Sequence, residues 1–239
     1  MSQIVVSSIT GYPTRDHRFE ACCRCLQGAR ELEVPVYLAD TSPADIQLEL
    51  EALGAILILC SDTSYTGKKI ASLQAAVDGG ATAILITEME KDELLPYLER
   101  LCQPILDGSA DLVIPERTEV SWTSYPKEFA IERFALDQIR QFTGRYFDTM
   151  LGAFVIHRDL VPRFLNCREE MWTWLHVPRL EIIRDRPERV MGIPVDFLYP
   201  ADQKTAEEGN PAFHLKRLEQ LWYSLIRPLQ IVYGGAKPK

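Results

Sequence analysis

Short apolar runs alternate with segments of helical period through the first 115 or so residues, and this alternation constrains the fold more than any other feature of the chain. The runs cover residues 4–7, 34–39, 55–60, 83–87 and 111–114. They are rich in Val, Ile, Leu and Ala and are punctuated by Gly, Pro, Ser or Asp, as buried strands are. Helices are predicted between them over residues 19–32, 43–53, 67–77 and 92–106. In the first, Phe19, Cys22, Cys23, Leu26 and Ala29 fall near helical spacing. In the second, Ser42 can cap and Pro43 can open the helix. Strands alternating with helices of this length predict βαβ units, right-handed crossovers and an α/β fold with a mostly parallel central sheet flanked by helices.

The second half reads differently. Residues 127–142 predict an amphipathic helix, with Ile131, Phe134, Ala135, Ile139 and Phe142 on one face. A strand at 153–156 follows Gly152, and a helix begins near Asp159. Residues 172–183 are ambiguous by periodicity, 193–199 read as a strand, 202–210 as a polar mobile loop, and 211–226 as a last helix. No linker composition separates the halves, so one continuous domain over 1–239 is expected, its second half more irregular than its first.

A net charge of −8 and the lack of a Lys/Arg run argue against a nucleic-acid binder. The first residues carry neither a charged n-region nor a long apolar core, and no window reaches the ~20 apolar residues of a membrane span. A cytoplasmic protein without a membrane span is therefore expected; a homo-oligomer is also allowed for. The six cysteines lack zinc-site spacing and are expected to be reduced, packed thiols.

Three groups of residues carry chemistry. Glu88 and Glu90 stand one residue apart at the end of the fourth apolar run. Carboxylates there lie where open α/β sheets bind ligands, and two of them can reach one hard cation. They can equally be acids at a helix start, because residues 88–93 hold four. Lys68 and Lys69 follow Gly67 at a predicted helix N-terminus, a setting for phosphate or for two solvated lysines. Asp40 ends the second strand, where a carboxylate accepts from a ribose or base, or caps a turn. His214, on the last helix, can complete a metal site or simply pack.

The order of these motifs resembles the GT-A fold of nucleotide-sugar glycosyltransferases. It is similar above all to the family-two type and to the synthases that transfer glucose or mannose to glycerate or phosphoglycerate. The resemblance spans roughly residues 3–218. Ser8-Ile9-Thr10-Gly11-Tyr12-Pro13 stands where that family has a nucleotide-contacting loop, and Asp40-Thr41-Ser42 where it has an acid on the base or ribose. Gly67-Lys68-Lys69 resembles its basic turn, and Glu88-Met89-Glu90 takes the place of its Asp-x-Asp metal motif. The stretch Gly108 to Arg117 is similar to its next strand, Leu151-Gly152-Ala153-Phe154 to its acceptor-side strand, and His214 to a third metal ligand of some members. The chain departs from the family in its glutamates, in its first loop, and in offering no clear counterpart of the catalytic Glu-Asp pair near Arg168-Glu169-Glu170.

The resemblance implies a nucleotide-sugar-binding half over 1–117 and an acceptor-side half with the C-terminal helix over 118–239. It implies a metal-dependent transfer of a hexose from a nucleotide diphosphate sugar to a small polar acceptor. Thr10, Tyr12, Asp40, Lys68 and Glu88 would bind the donor, Gly152 would face the acceptor, and Glu88, Glu90 and His214 would hold Mg²⁺ or Mn²⁺. No base is identified. The departures leave a second implication open, a catalytically inactive sugar-nucleotide-binding or interaction module of the same fold. Apart from the resemblance, another α/β enzyme, such as a nucleotidyltransferase, is a third reading.

Overall fold

A computed structural model describes residues 3–124, 126–198 and 211–234, without the side chains of 126–128, 213 and 214. The predicted loop at 202–210 lies outside the described residues. The chain forms two compact units. One comprises Met1–Val113 and Ala153–Asn166, the other Ile114–Gly152 and Cys167–Lys239.

In the first unit, β1 (Ile4–Thr10), β2 (Val36–Asp40), β3 (Ala55–Ile58) and β4 (Ala83–Ile86) are linked by α1 (His17–Glu31), α2 (Ala44–Ala52) and α3 (Tyr65–Asp78). β1 pairs in parallel with β2 on one side and β4 on the other, and β2 pairs in parallel with β3. After β4 come a 3₁₀ segment Asp92–Tyr97, α4 (Leu98–Leu106) and β5 (Leu112–Arg117). β6 (Phe154–His157) runs antiparallel to both β4 and β5. With β7 (Val190–Val195) the sheet order is β3-β2-β1-β4-β6-β5-β7. The sheet is thus mixed and mostly parallel, as the alternation predicts.

Strand residues such as Val5, Val6, Leu38, Ile84, Leu85 and Val155 are fully buried, as expected for strands covered on both faces. Two buried hydroxyls of β1 are bonded: Ser7 Oγ lies 2.7 Å from Ser72 Oγ, and Ser8 Oγ donates to the Thr87 carbonyl at 2.7 Å. These bonds let β1 run on to Thr10, three residues past its apolar part. α1 begins at His17, because the Asp16 carboxylate accepts from the Arg18 and Phe19 N–H groups. α3 begins at Tyr65, because Ser64 Oγ caps the Gly67 N–H. The expected helix over 92–106 is broken in two by Pro96, which lacks the N–H an α-helix needs.

In the second unit the elements are α5 (Glu119–Ser124), α6 (Pro126–Thr143), α8 (Met171–Asp185) and a C-terminal helical stretch, Pro211–Leu221, Trp222–Ile226 and Arg227–Tyr233; α7 (Val161–Leu165) belongs to the first unit. α8 buries ten of its residues, on nearly every face. An all-round buried helix has no amphipathic period, hence the ambiguity at 172–183. The strand expected at 193–199 lies instead at Val190–Val195, with Pro194 near its end. All six cysteines are free thiols. Among the described residues no helix is long and apolar enough to cross a membrane.

Candidate functional site

The order β3-β2-β1-β4 places a reversal of winding between β1 and β4. Successive strands are laid down to one side of β1, and then β4 is laid down on the other. Such a switch point leaves a crevice beyond the carboxyl ends of the two strands. The segments bordering it are 11–16 after β1 and 87–91 after β4. Both belong to the first unit, as do the residues described next.

Asp40, at the end of β2, is 8% exposed and accepts four hydrogen bonds. Oδ1 takes Thr10 Oγ1 at 2.6 Å and Ser42 Oγ at 2.7 Å; Oδ2 takes the Ser42 N–H at 2.7 Å and Gln47 Nε2 at 3.2 Å. These fill a carboxylate's accepting capacity. Asp40 and Thr10 therefore tie β1 to β2, and a ribose hydroxyl reaching Asp40 must replace one of these donors. Tyr12 does not present a ring face: it is 4% exposed, edge-on to Phe19 with ring centroids 5.8 Å apart. Burial pushes its phenol far above the usual range.

Lys68 is half-buried. Its Nζ donates to the Thr10 carbonyl at 2.8 Å and to Thr41 Oγ1 at 3.2 Å. It thus spans the carboxyl ends of β1 and β2, beside the Gly11 loop, where an added Cβ would meet Thr41 Oγ1 at 2.7 Å. Burial lowers its pKa, against the pull of Asp40.

Lys69 is the residue that sequence reasoning undervalued. It lies about 100° round α3 from its neighbour, is 2% exposed, and reaches the Thr87 carbonyl at 3.3 Å. Desolvation brings its pKa down to about 8, in spite of Glu88. Only its position one residue after Lys68 hinted at this. Successive helical residues point about 100° apart, so two adjacent lysines can meet different surroundings.

Glu88 and Glu90 lie just past β4, in a turn closed by the Lys91 N–H donating to the Glu88 carbonyl at 3.1 Å. Each carboxylate has its own cation: Lys91 Nζ is 2.8 Å from Glu88 Oε2, and Arg18 Nη2 is 2.7 Å from Glu90 Oε1. Lys91 is 5% exposed, and its charge above all holds the Glu88 pKa down to about 2. The Glu88 side chain is 46% exposed, so solvent screens this bridge and it adds little to stability. The side chain of His214 lies outside the described residues. Among those described, no three His, Cys, Asp or Glu side chains come together to hold a metal ion. Glu88 and Glu90, each matched to a protein cation, do not fit a divalent metal as they stand.

In the second unit, Gly152 has φ 83°, a left-handed conformation that itself calls for glycine. Arg117 is fully buried. Its Nε and Nη2 donate to Asp148 at 2.7 and 2.9 Å, and its Nη1 lies 2.7 Å from Glu132 Oε2. Its guanidinium stacks 3.9 Å from the Trp122 ring centroid. Next to it, burial and the Asp148 charge push the Glu116 carboxyl up to about 7. Glu116 therefore favours folding fully below about pH 4.5, and this contribution fades as pH rises toward 7. Glu116→Gln is expected to flatten the fall in unfolding midpoint across that window, as followed by urea titrations at several pH values.

No family model and no curated protein matches this sequence. Solved structures do share its fold. A mannosyl-3-phosphoglycerate synthase from Rubrobacter xylanophilus superposes with TM-score 0.59 at 11% identity, over 98% of this chain and 76% of that one. A CMP:2-keto-3-deoxy-manno-octonic acid synthetase complexed with CTP gives 0.50 at 13% identity, over 91% and 100%. A cytidylyltransferase from Leptospira borgpetersenii gives 0.50 at 10% identity, over the whole of both chains. The chain therefore has the GT-A-like α/β fold that nucleotide-sugar transferases and nucleotidyltransferases share.

Proposed function

We propose that this chain is a nucleotide-sugar-dependent glycosyltransferase that moves a hexose from a nucleotide diphosphate donor to a small polar acceptor. One observation carries the reading: Lys68 lies at the carboxyl ends of β1 and β2, and Lys69, Lys91 and Arg18 lie at the segment after β4, on the two sides of the β1 end where the sheet reverses its winding. In a chain of net charge −8, cations gathered there suit a diphosphate. Lys68 binds a phosphate as a partly exposed point charge. Thr10 and Asp40 border the nucleoside, Tyr12 supports the loop from below, and Glu88 edges the sugar side. The chemistry rests on positioning and on charge stabilisation of the diphosphate as it leaves.

The test is a calorimetric titration with nucleoside diphosphates and their hexose conjugates. At least one is expected to bind, and Lys68→Met to weaken it about tenfold or more, the usual worth of a charge-assisted contact. If Lys68→Met leaves the affinity unchanged, the phosphate assignment is wrong. A second reading, nucleotidyl transfer, draws on the two cytidylyl-transferring proteins that share the fold. The products separate the two. Donor plus glycerate or phosphoglycerate releases a nucleoside diphosphate under the first reading, whereas CTP plus a sugar acid releases pyrophosphate under the second. Binding with neither product identifies an inactive module.

A further inference from the structure

We propose that this site holds its diphosphate with protein cations in place of a divalent metal, and that Lys91 stands on Glu88 where the metal would stand. The inference rests on the nucleotide-diphosphate reading above and goes beyond it.

Three observations carry it. First, each carboxylate of the Glu-Met-Glu turn already has a cation of its own: Glu88 takes Lys91 at 2.8 Å and Glu90 takes Arg18 at 2.7 Å. A divalent ion on Glu88 would sit against the Lys91 ammonium, and like charges at contact distance repel strongly. Second, Lys91 cannot readily swing away. Its side chain is 5% exposed, and the turn that carries it is closed by its own N–H on the Glu88 carbonyl at 3.1 Å. A mobile surface lysine would yield to a metal; a buried one in a closed turn would not. Third, Lys69 adds a second buried ammonium behind the same turn. Its hydrogen bond to the Thr87 carbonyl is long, 3.3 Å, and the Tyr65 ring centroid lies 5.9 Å from its Nζ. A lysine ammonium has three donors, so this one retains capacity for an anion.

Around the turn, Arg18 and Lys91 match Glu90 and Glu88, Arg24 matches Asp92 beyond it, and Lys69 stands behind. The carboxylates are matched within the chain before any ligand arrives. In a metal-dependent site of this kind the protein side is negative and the metal reverses the sign. Here the compensation is built into the chain. A diphosphate would find its countercharge in the chain's own side chains, two of which, Lys69 and Lys91, are already desolvated.

The test is a titration of the purified full chain with UDP, GDP, ADP and CDP, once with excess EDTA and once with excess MnCl₂. The diphosphate that binds is expected to do so with affinities within about threefold of each other in the two buffers, a difference of under 1 kcal/mol. Lys91→Met is expected to weaken binding about tenfold or more in EDTA, and Mn²⁺ to restore it, because Glu88 is then free to hold the ion. Lys91→Arg, which keeps the charge, retains binding in EDTA and guards against a folding defect in the methionine variant. Paramagnetic resonance of Mn²⁺ without nucleotide gives an independent readout: the free-ion signal persists with the native chain and is quenched by Lys91→Met. Binding by the native chain only with Mn²⁺ overturns the inference and leaves the nucleotide reading standing. Binding under neither condition overturns both. Metal-free binding that survives Lys91→Met unchanged overturns the role of Lys91.

Discussion

Asp148→Ala is expected to destabilise the protein by about 3–5 kcal/mol, the usual cost of leaving one member of a buried ion pair alone. Arg117 and Asp148 have fully buried side chains joined by two parallel hydrogen bonds, and Asp148 also accepts from the Arg117 and Leu151 N–H groups. Its removal strands a guanidinium that remains charged at any pH the fold survives. Glu132, 2.7 Å from Nη1, compensates in part, and the rings of Trp122 and Phe129 hold the guanidinium in place. Urea unfolding measures the loss. A double variant, Arg117→Met with Asp148→Ala, should recover much of it, because an unpaired polar group costs more than a missing pair. A single-variant loss below about 1 kcal/mol would mean the pair is solvated, as surface pairs are.

Lys69→Met is expected to change stability in the opposite direction, raising it by roughly 2–4 kcal/mol at pH 7. The lysine is 2% exposed, and its pKa is lowered from 10.5 to about 8 by desolvation. A depressed lysine favours the folded state fully above pH 10.5, and that advantage is lost as pH falls through about 8. At neutral pH the fold therefore carries a buried charge at a cost, and an apolar side chain of similar length removes it. The native chain should gain stability from about pH 8 to 10.5, and Lys69→Met should not. The same substitution should weaken diphosphate binding. A variant more stable yet poorer at binding is the mark of a residue kept for a site rather than for the fold. If Lys69→Met is destabilising, the ammonium is better solvated than its burial indicates.

Much of the first unit could be read from the residues. Apolar runs at 34–39 and 83–87 became β2 and β4 within a residue or two, because strands buried on both faces need continuous apolar sequence. Polar termini escaped that logic. At its polar end, Thr10 of β1 is satisfied by Asp40 and Lys68 from other elements, and these lie 30 and 58 residues away in sequence. The same separation hid the site. Glu88 and Glu90 were legible as an acidic pair at a strand end, but not the Lys91 that folds back on one or the Arg18 that reaches the other. Tyr12 was legible as an aromatic in a loop, and only packing on Phe19 shows it turned inward.

By itself the sequence determined the alternation, hence a mostly parallel sheet with its loops of interest at the strand ends, because local period and burial are set by neighbours along the chain. Tertiary structure alone decided the charge state of those ends. Which lysine is buried, which carboxylate it neutralises and which hydroxyl fills Asp40 depend on distances between segments far apart in sequence, and those distances exist only once the sheet has assembled.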